Sequence, residues 1–223
     1  MLRVRGLAKS WPGGAPLFEA VDLDLAPGEL VAILGESGAG KSTLLNIIAG
    51  LDRADAGTVT VSDTVSDTEV TALSEDGLAL WRRKRVGFVF QAFHLLPYLT
   101  VEENVALPLL LNGVAAGERS ARARAALEAV GMAMHAARKP ASLSGGEMQR
   151  VAVARAVAHK PSLVLADEPT GNLDEANAAA TMQALRAAVK REGAAGLLVT
   201  HSAVAAASAD RVLRLAGRRL GPA

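Results

Sequence analysis

The stretch Gly35-Glu-Ser-Gly-Ala-Gly-Lys-Ser-Thr43 constrains this chain more than any other part of it. It matches G-x-x-x-x-G-K-[ST], and it stands between the apolar β-type run Glu29-Leu-Val-Ala-Ile-Leu34 and the helical pattern LLNIIAGL. Glycines in such a loop let backbone N–H groups curl around an anion. The helix that follows brings its N-terminal dipole, about half a positive charge, to the same point. Gly35, Glu36, Ser37, Gly38, Ala39 and Gly40 form the expected cradle, and Lys41 is placed to reach β- and γ-phosphates. The hydroxyl of Ser42 is a candidate ligand for Mg²⁺, with Thr43 beside the phosphates.

The rest of the chain supplies the fold such a loop requires. Further apolar β-type runs at Val86–Phe90, Ser162–Ala166 and Gly196–Thr200 alternate with helical patterns, the sign of an α/β protein with a mostly parallel sheet. Gly28, after Pro27, marks the turn into the first buried strand. Between Ala92 and Lys160 the β signal disappears. Thr100 with Glu103, and Ser144 with Glu147, form capping boxes for helices there, and a polar, Ala- and Arg-rich helix spans Gly117 to Val130. The organisation expected is one domain over 1–223. Residues of about 1–91 and 160–223 make a P-loop core with a small antiparallel β-region, and about 92–159 make an inserted helical subdomain. The tandem VSDT at 61–64 and 65–68 reads as an exposed turn or hairpin edge in the β-region, ahead of a helix at about Gly77 to Arg85.

Composition removes several functions. Twenty-four Lys and Arg against 23 Asp and Glu leave no basic excess for nucleic acid. Two Trp, one Tyr and four Phe give little with which to stack bases. With no cysteine, disulfides and thiolate metal sites are excluded. The N-terminus lacks the unbroken apolar core of a secretory signal. The most apolar stretch, Val101 to Ala116, is broken by Glu102, Glu103, Asn104, Pro108 and Asn112, too polar to span a bilayer. A soluble chain is expected.

Hydrolytic chemistry enters with Leu163-Val-Leu-Ala-Asp167-Glu168, an apolar strand ending in two adjacent carboxylates. Side chains alternate along a strand, so the two acids are expected to point apart and take different tasks. Asp167 suits the surroundings of Mg²⁺, and Glu168 suits accepting a proton from an attacking water.

The segment Leu143-Ser144-Gly145-Gly146-Glu147-Met148-Gln149-Arg150 resembles the signature motif of ABC-type ATPases. Ser144 reads as a helix cap, and the two glycines read as leaving N–H groups bare at a helix N-terminus, a second anion site. The resemblance runs from about Leu2 to Leu220 and implies an ATP hydrolase that works as a head-to-tail dimer. Two ATP molecules, with Mg²⁺, would then lie between the P-loop of one copy and Ser144, Gly145, Gly146 and Glu147 of the other. It also implies that Trp11 packs on adenine and that Gln91 is the Q-loop residue touching metal and water. Asp174, in Gly171-Asn172-Leu173-Asp174, would belong to a D-loop bridging the subunits, and His201 would be the switch histidine at the γ-phosphate. The metal set so implied is Ser42, Gln91 and Asp167; the catalytic set is Glu168, His201 and Gln91.

The string from Val86 to Pro97, with GESGAGKSTLL, AGLD at 49–52 and ADEPTGNLD, resembles the branch of lipoprotein-releasing and macrolide-export ATPases, especially its YbbA-like members. The branch implies a separate membrane permease and a location on the cytoplasmic face of the inner membrane. Phe88 and Phe90 read as core, whereas Phe93, Leu95, Leu96 and Tyr98 read as a groove for another protein. Ser202 stands where the family often has Asp. The alternative, a soluble ABC ATPase not coupled to transport, is disfavoured by the lack of heptad runs or a second copy of the motifs.

Overall fold

The apolar run around Ile33 forms strand β3 (Leu30–Leu34), the middle of a computed structural model that describes residues 1–11, 13–62 and 66–223. Around it lie β6 (Val86–Val89), β7 (Leu163–Asp167), β8 (Ala195–Thr200), β9 (Arg211–Ala216) and β10 (Arg219–Pro222). They form a sheet of order β10-β9-β3-β8-β7-β6, parallel throughout except for the antiparallel edge strand β10. A second, antiparallel sheet orders β2 (Pro16–Leu25), β1 (Leu2–Ser10), β4 (Ala56–Ser62) and β5 (Asp67–Glu69). β4 and β5 pair antiparallel, with Ser62 of the first VSDT copy opposite Asp67 of the second. Asp63, Thr64 and Val65 of that duplication lie outside the described residues, as does Pro12.

Both faces of the parallel sheet are covered, which is why its strands read as unbroken apolar runs. On one face Leu30, Ala32, Val164, Ala166 and Leu198 join a cluster that includes side chains of the helices α3 (Val101–Leu111), α5 (Gly145–Val157) and α6 (Glu175–Glu192). The side chains between them, such as Val31, Ile33, Leu165 and Val199, face the other way. There they meet α1 (Lys41–Ile48) and the antiparallel sheet, with Leu44, Leu45, Phe18 and Leu2 fully buried. At about 1.5–3 kcal/mol for each large side chain buried, this two-sided packing supplies most of the stability of the sheet.

Helix limits follow local chemistry. Ser74 caps α2 (Glu75–Arg85), which therefore starts slightly before the expected Gly77. Thr100 and Ser144 form the expected capping boxes, and α4 covers Ala116–Ala129. Asn104, one of the residues that break the apolar stretch, is fully buried. Its amide accepts from Leu96 N and donates to the carbonyls of Leu96, Leu99 and Thr100, pinning that loop to α3. No described helix is long and apolar enough to cross a membrane. Phe88 and Phe90 stack with ring centroids 4.1 Å apart; Phe88, partly buried, packs against the core, whereas Phe90 joins neither core cluster, so the expectation of a core position is corrected for Phe90. The cause is the short β6, which ends at Val89 and leaves Phe90 at the lip of the following loop.

Candidate active site

The parallel strands end together, and the candidate residues collect at that edge. Register pairs Leu34 with Thr200, Asp167 with Val199 and Val89 with Ala166. Gly35, Glu168, His201 and Gln91 therefore all emerge from the C-terminal side of one sheet, where α/β proteins bind ligands. Gly38 (φ 80°) and Gly40 (φ 95°) take left-handed conformations that curl the loop. A Cβ on Gly40 would also lie 2.7 Å from Leu17 Cγ. Gly40 leaves α1 with no side-chain cap, whereas Ser74, Thr100, Ser144 and Asp174 cap their own helices. The N–H groups at the start of α1 are thus available to an anion. Lys41 is 7% exposed, and its Nζ donates to the carbonyls of Gly35 (2.8 Å) and Glu36 (2.9 Å). Ala39 N donates to Glu36 O at 3.2 Å, closing the turn.

The two carboxylates have different surroundings, but strand alternation is not the reason. β7 ends at Asp167, and Glu168 has φ 44°, so the expectation based on pleat is corrected. A left-handed glutamate costs about 1–3 kcal/mol and persists only where neighbours enforce it. Here Glu168 N donates to Val199 O at 3.0 Å, and Gly171 N donates to Glu168 O at 3.0 Å. The turn carries the carboxylate to the end of β8. There Thr200 Oγ1 donates to Glu168 Oε2 (2.9 Å), His201 N donates to the same oxygen (3.2 Å), and His201 Nδ1 lies 3.0 Å from Oε1. Asp167 instead accepts from Ser42 Oγ at 3.1 Å. Burial pushes its carboxyl above the usual range, with Glu168 adding and the Ser42 hydroxyl and Lys41 opposing. A hydroxyl and a half-buried carboxylate whose ionised form Ser42 and Lys41 compensate only in part fit a hard divalent cation such as Mg²⁺.

These groups line one cleft of about 390 Å³: Trp11, Ser37, Gly38, Gly40, Lys41, Ser42, Thr43, Gln91, Glu168 and His201. Trp11, 53% exposed, stands at its rim. A larger hollow of about 750 Å³ shares Glu168 and His201 with the cleft and is otherwise lined by the loop with Thr170 and Gly171 and by residues in and around α6 and α7 (Ala203–Ala206), including Met182 and Val204. It includes no residue of the glycine loop, which lines only the smaller of the two. Ser202 accepts from Ala205 N at 3.2 Å and is the cap of α7.

Ser144, Gly145, Gly146, Glu147 and Asp174 are not on this cleft. Ser144 accepts from Glu147 N (3.3 Å), and Glu147 accepts from Ser144 N (2.8 Å). That backbone bond is the main cause holding the Glu147 carboxyl below its usual range. The box uses the N–H groups of residues 144 and 147, and helix geometry leaves those of Gly145 and Gly146 over. The bare-amide reading of Gly146 is incomplete, however. A Cβ there would lie 2.1 Å from Asn177 Oδ1 and 2.7 Å from Asn177 Cβ, so packing alone excludes a side chain. Asp174 accepts from Asn177 N at 2.9 Å and caps α6.

Several supporting residues lie outside any motif reading of single functions. Gln149 is fully buried and donates from Nε2 to Phe90 O at 2.9 Å. Arg155 donates to the carbonyls of His94 (2.6 Å) and Phe93 (3.0 Å). The signature helix thus holds the loop carrying Gln91 from both sides. Thr200 and Asn177 complete the set; Gln149 stands within the segment from Leu143 to Arg150, but no local pattern marks the contact that any of the four makes.

A family model described as "ABC transporter" matches residues 18–171. The chain is 45% identical over 223 residues to the lipoprotein-releasing system ATP-binding protein LolD of Pseudomonas syringae pv. tomato, covering 99% of this chain and 96% of the relative. It is 47% identical over 223 residues to LolD of Ruegeria pomeroyi, covering 98% and 96%. The dimeric structure of a bacterial ABC transporter cassette matches with TM-score 0.84 at 37% identity, covering 99% of this chain and 96% of that one. A dimeric cassette in a post-hydrolysis state, bound to ADP and Pi, matches with TM-score 0.84 at 36% identity and the same coverage.

Proposed function

The chain belongs to the ABC transporter family as an ATP-binding, ATP-hydrolysing subunit, and on that premise we propose which of its residues do the work. Lys41 moves from the carbonyls of Gly35 and Glu36 onto the β- and γ-phosphates, while the loop N–H groups and the start of α1 hold the remaining oxygens. Trp11 packs on the adenine. Ser42, Asp167 and Gln91 hold Mg²⁺, which when bound neutralises the charge developing on the phosphates. Glu168 takes the proton of the attacking water as the γ-phosphoryl group passes to it and ADP leaves. Thr200 and His201 keep the carboxylate oriented. In the assembled form His201 also reaches the γ-phosphate.

Two copies close head to tail, so that Ser144, Gly145, Gly146 and Glu147 of one complete the cleft of the other, with Asp174 at the junction. The dimeric cassettes support this, as does a cleft that lacks its own second set of donors. Residues of about 92–159 form the signature subdomain. The substrate class follows the relatives: a lipoprotein-releasing system, driven through a separate permease at the cytoplasmic face of the inner membrane. A docking face for that permease is supported by Tyr98 (87% exposed) and Leu96 (45%), held out on the loop that Asn104 fixes beside the Gln91 segment. Export of hydrophobic compounds is the other branch activity.

One observation carries the reading: Lys41, Asp167, Glu168, Gln91 and His201 converge on one edge of the sheet from four separate segments. Glu168→Gln is expected to bind ATP and dimerise while turnover falls about 10²–10⁴-fold. Near-normal turnover removes Glu168 as the base. Glu168→Gln with ATP, purified from detergent-solubilised membranes, is expected to bring an integral membrane subunit; its absence favours a soluble ABC ATPase.

A further inference from the structure

Gly146 meets a neighbour that phosphate chemistry does not use. Its side-chain direction is filled by Asn177 of α6, with Oδ1, Cγ and Cβ at 2.1, 2.4 and 2.7 Å from an ideal Cβ. Gly145 has only ordinary contacts in that direction, 3.5 Å to Leu173 Cδ2 and 3.6 Å to Phe93 Cζ. Asn177 cannot simply swing aside. Its N donates to Asp174 Oδ1 (2.9 Å), and its Nδ2 donates to Asp174 Oδ2 (2.7 Å). The D-loop carboxylate thus holds Asn177 twice, one oxygen on its backbone N–H and the other on its side-chain amide, and that side chain is pressed onto the signature helix.

The same D-loop is fastened to the chain's own catalytic edge. Gly171 N donates to Glu168 O at 3.0 Å, and a Cβ on Gly171 would lie 2.8 Å from Gln91 Nε2. Asn172 Nδ2 donates to Gln91 O at 3.4 Å. Short contacts therefore run from Glu168 through the D-loop to Asp174, Asn177 and Gly146. Packed chains of this kind have few alternative arrangements, so a shift at one end displaces the other.

We propose that Asn177 is a positioning residue for ATP hydrolysis, a clasp between the D-loop and the signature helix. It sets where Gly145 and Gly146 present their N–H groups to the partner's nucleotide. This rests on the composite-site reading above. Asn177 does not line the nucleotide cleft of its own chain, and its effect falls on turnover by the closed dimer rather than on nucleotide binding by one subunit.

The test measures ATP hydrolysis over a range of ATP concentrations, together with binding of a fluorescent ATP analogue to the single subunit. Asn177→Ala is expected to lower kcat about tenfold with analogue affinity unchanged. Gly146→Ala is expected to be nearly inactive, and Asn177→Gly in the same chain, which removes Oδ1, Cγ and Cβ, to restore at least tenfold of the loss. Wild-type kcat in Asn177→Ala overturns the clasp. So does a double variant as inactive as Gly146→Ala when Asn177→Gly alone is active. Where Asn177→Gly itself lowers the melting temperature, Asn177→Ala decides the question. A wild-type chain with no ATPase activity sinks the composite-site reading instead, whereas an active wild type with indifferent Asn177 variants sinks only the clasp.

Discussion

The molecule has two glycine-rich helix starts, and they are built differently. In the P-loop the glycines answer to backbone conformation: Gly38 and Gly40 have φ of 80° and 95°, and α1 begins without a side-chain cap. In the signature the glycines have no positive φ, the helix is fully boxed by Ser144 and Glu147, and the constraint is contact with Asn177. The first start has Lys41 and Glu168 in its own cleft, with Asp167 hydrogen-bonded to Ser42 beside it. The second lies off that cleft, and its one first-turn carboxylate, Glu147, is engaged in the capping box. On the composite-site proposal one is a site and the other is half of one, and similar sequence chemistry serves both because each must leave N–H groups uncovered.

That contrast predicts substitutions of unequal cost. Gly40→Ala forces a left-handed alanine against Leu17 and Phe18, so it is expected to destabilise by about 2–5 kcal/mol and abolish nucleotide binding. Denaturant unfolding and nucleotide titration check both. A fully stable variant breaks the φ argument.

Acid is expected to separate the two halves next. His159, just past the end of the signature helix, has Nε2 at 3.2 Å from Val86 O, and burial holds its pKa down to about 4. A depressed histidine contributes stability fully present above its unfolded pKa of 6.5. That stability is lost as pH falls from there towards 4, roughly 3 kcal/mol in all. His159→Gln should flatten the stability profile over that window. An unchanged slope removes His159 as its source.

A smaller effect is expected at the base. Thr200→Val removes the buried hydroxyl that donates to Glu168 and accepts from Ser202 N at 3.0 Å. Turnover should fall about tenfold with ATP affinity unchanged, since only the orientation of the carboxylate is lost. The smallest belongs to Gly145→Ala, expected to stay within about 0.5 kcal/mol of the parent in folding stability. A large loss there would mean that both signature glycines are packing residues.

Legibility in the sequence followed the distance between partners. The parallel strands, the capping boxes at Thr100 and Ser144, and the glycine loop were readable because each depends on residues within a few positions. Asp167 and Glu168 were readable as a pair, but the left-handed turn at Glu168 was not, since Val199 O imposes it from another strand. The amides of Gln149 and Asn177, the Arg155 guanidinium and the Thr200 hydroxyl were invisible as site elements for the same reason. The groups they serve lie on other elements (Gly146 in the case of Asn177), so no spacing announces them. Asn104 looked like a mere interruption of an apolar stretch, yet its buried amide fixes the loop that carries Leu96 and Tyr98.

The central claim is that the signature of one chain serves the cleft of another, and mixing two disabled chains tests it most directly. Glu168→Gln leaves the signature intact, and Ser144→Arg leaves the base intact. With each chain carrying a different tag, mixed dimers can be isolated and assayed. The account predicts that neither variant hydrolyses ATP alone and that the mixed dimer does, because one of its two sites joins an unaltered base to an unaltered signature. Mixed dimers as inactive as the separate variants would contradict it, since that is the outcome if each cleft relies on its own chain's signature.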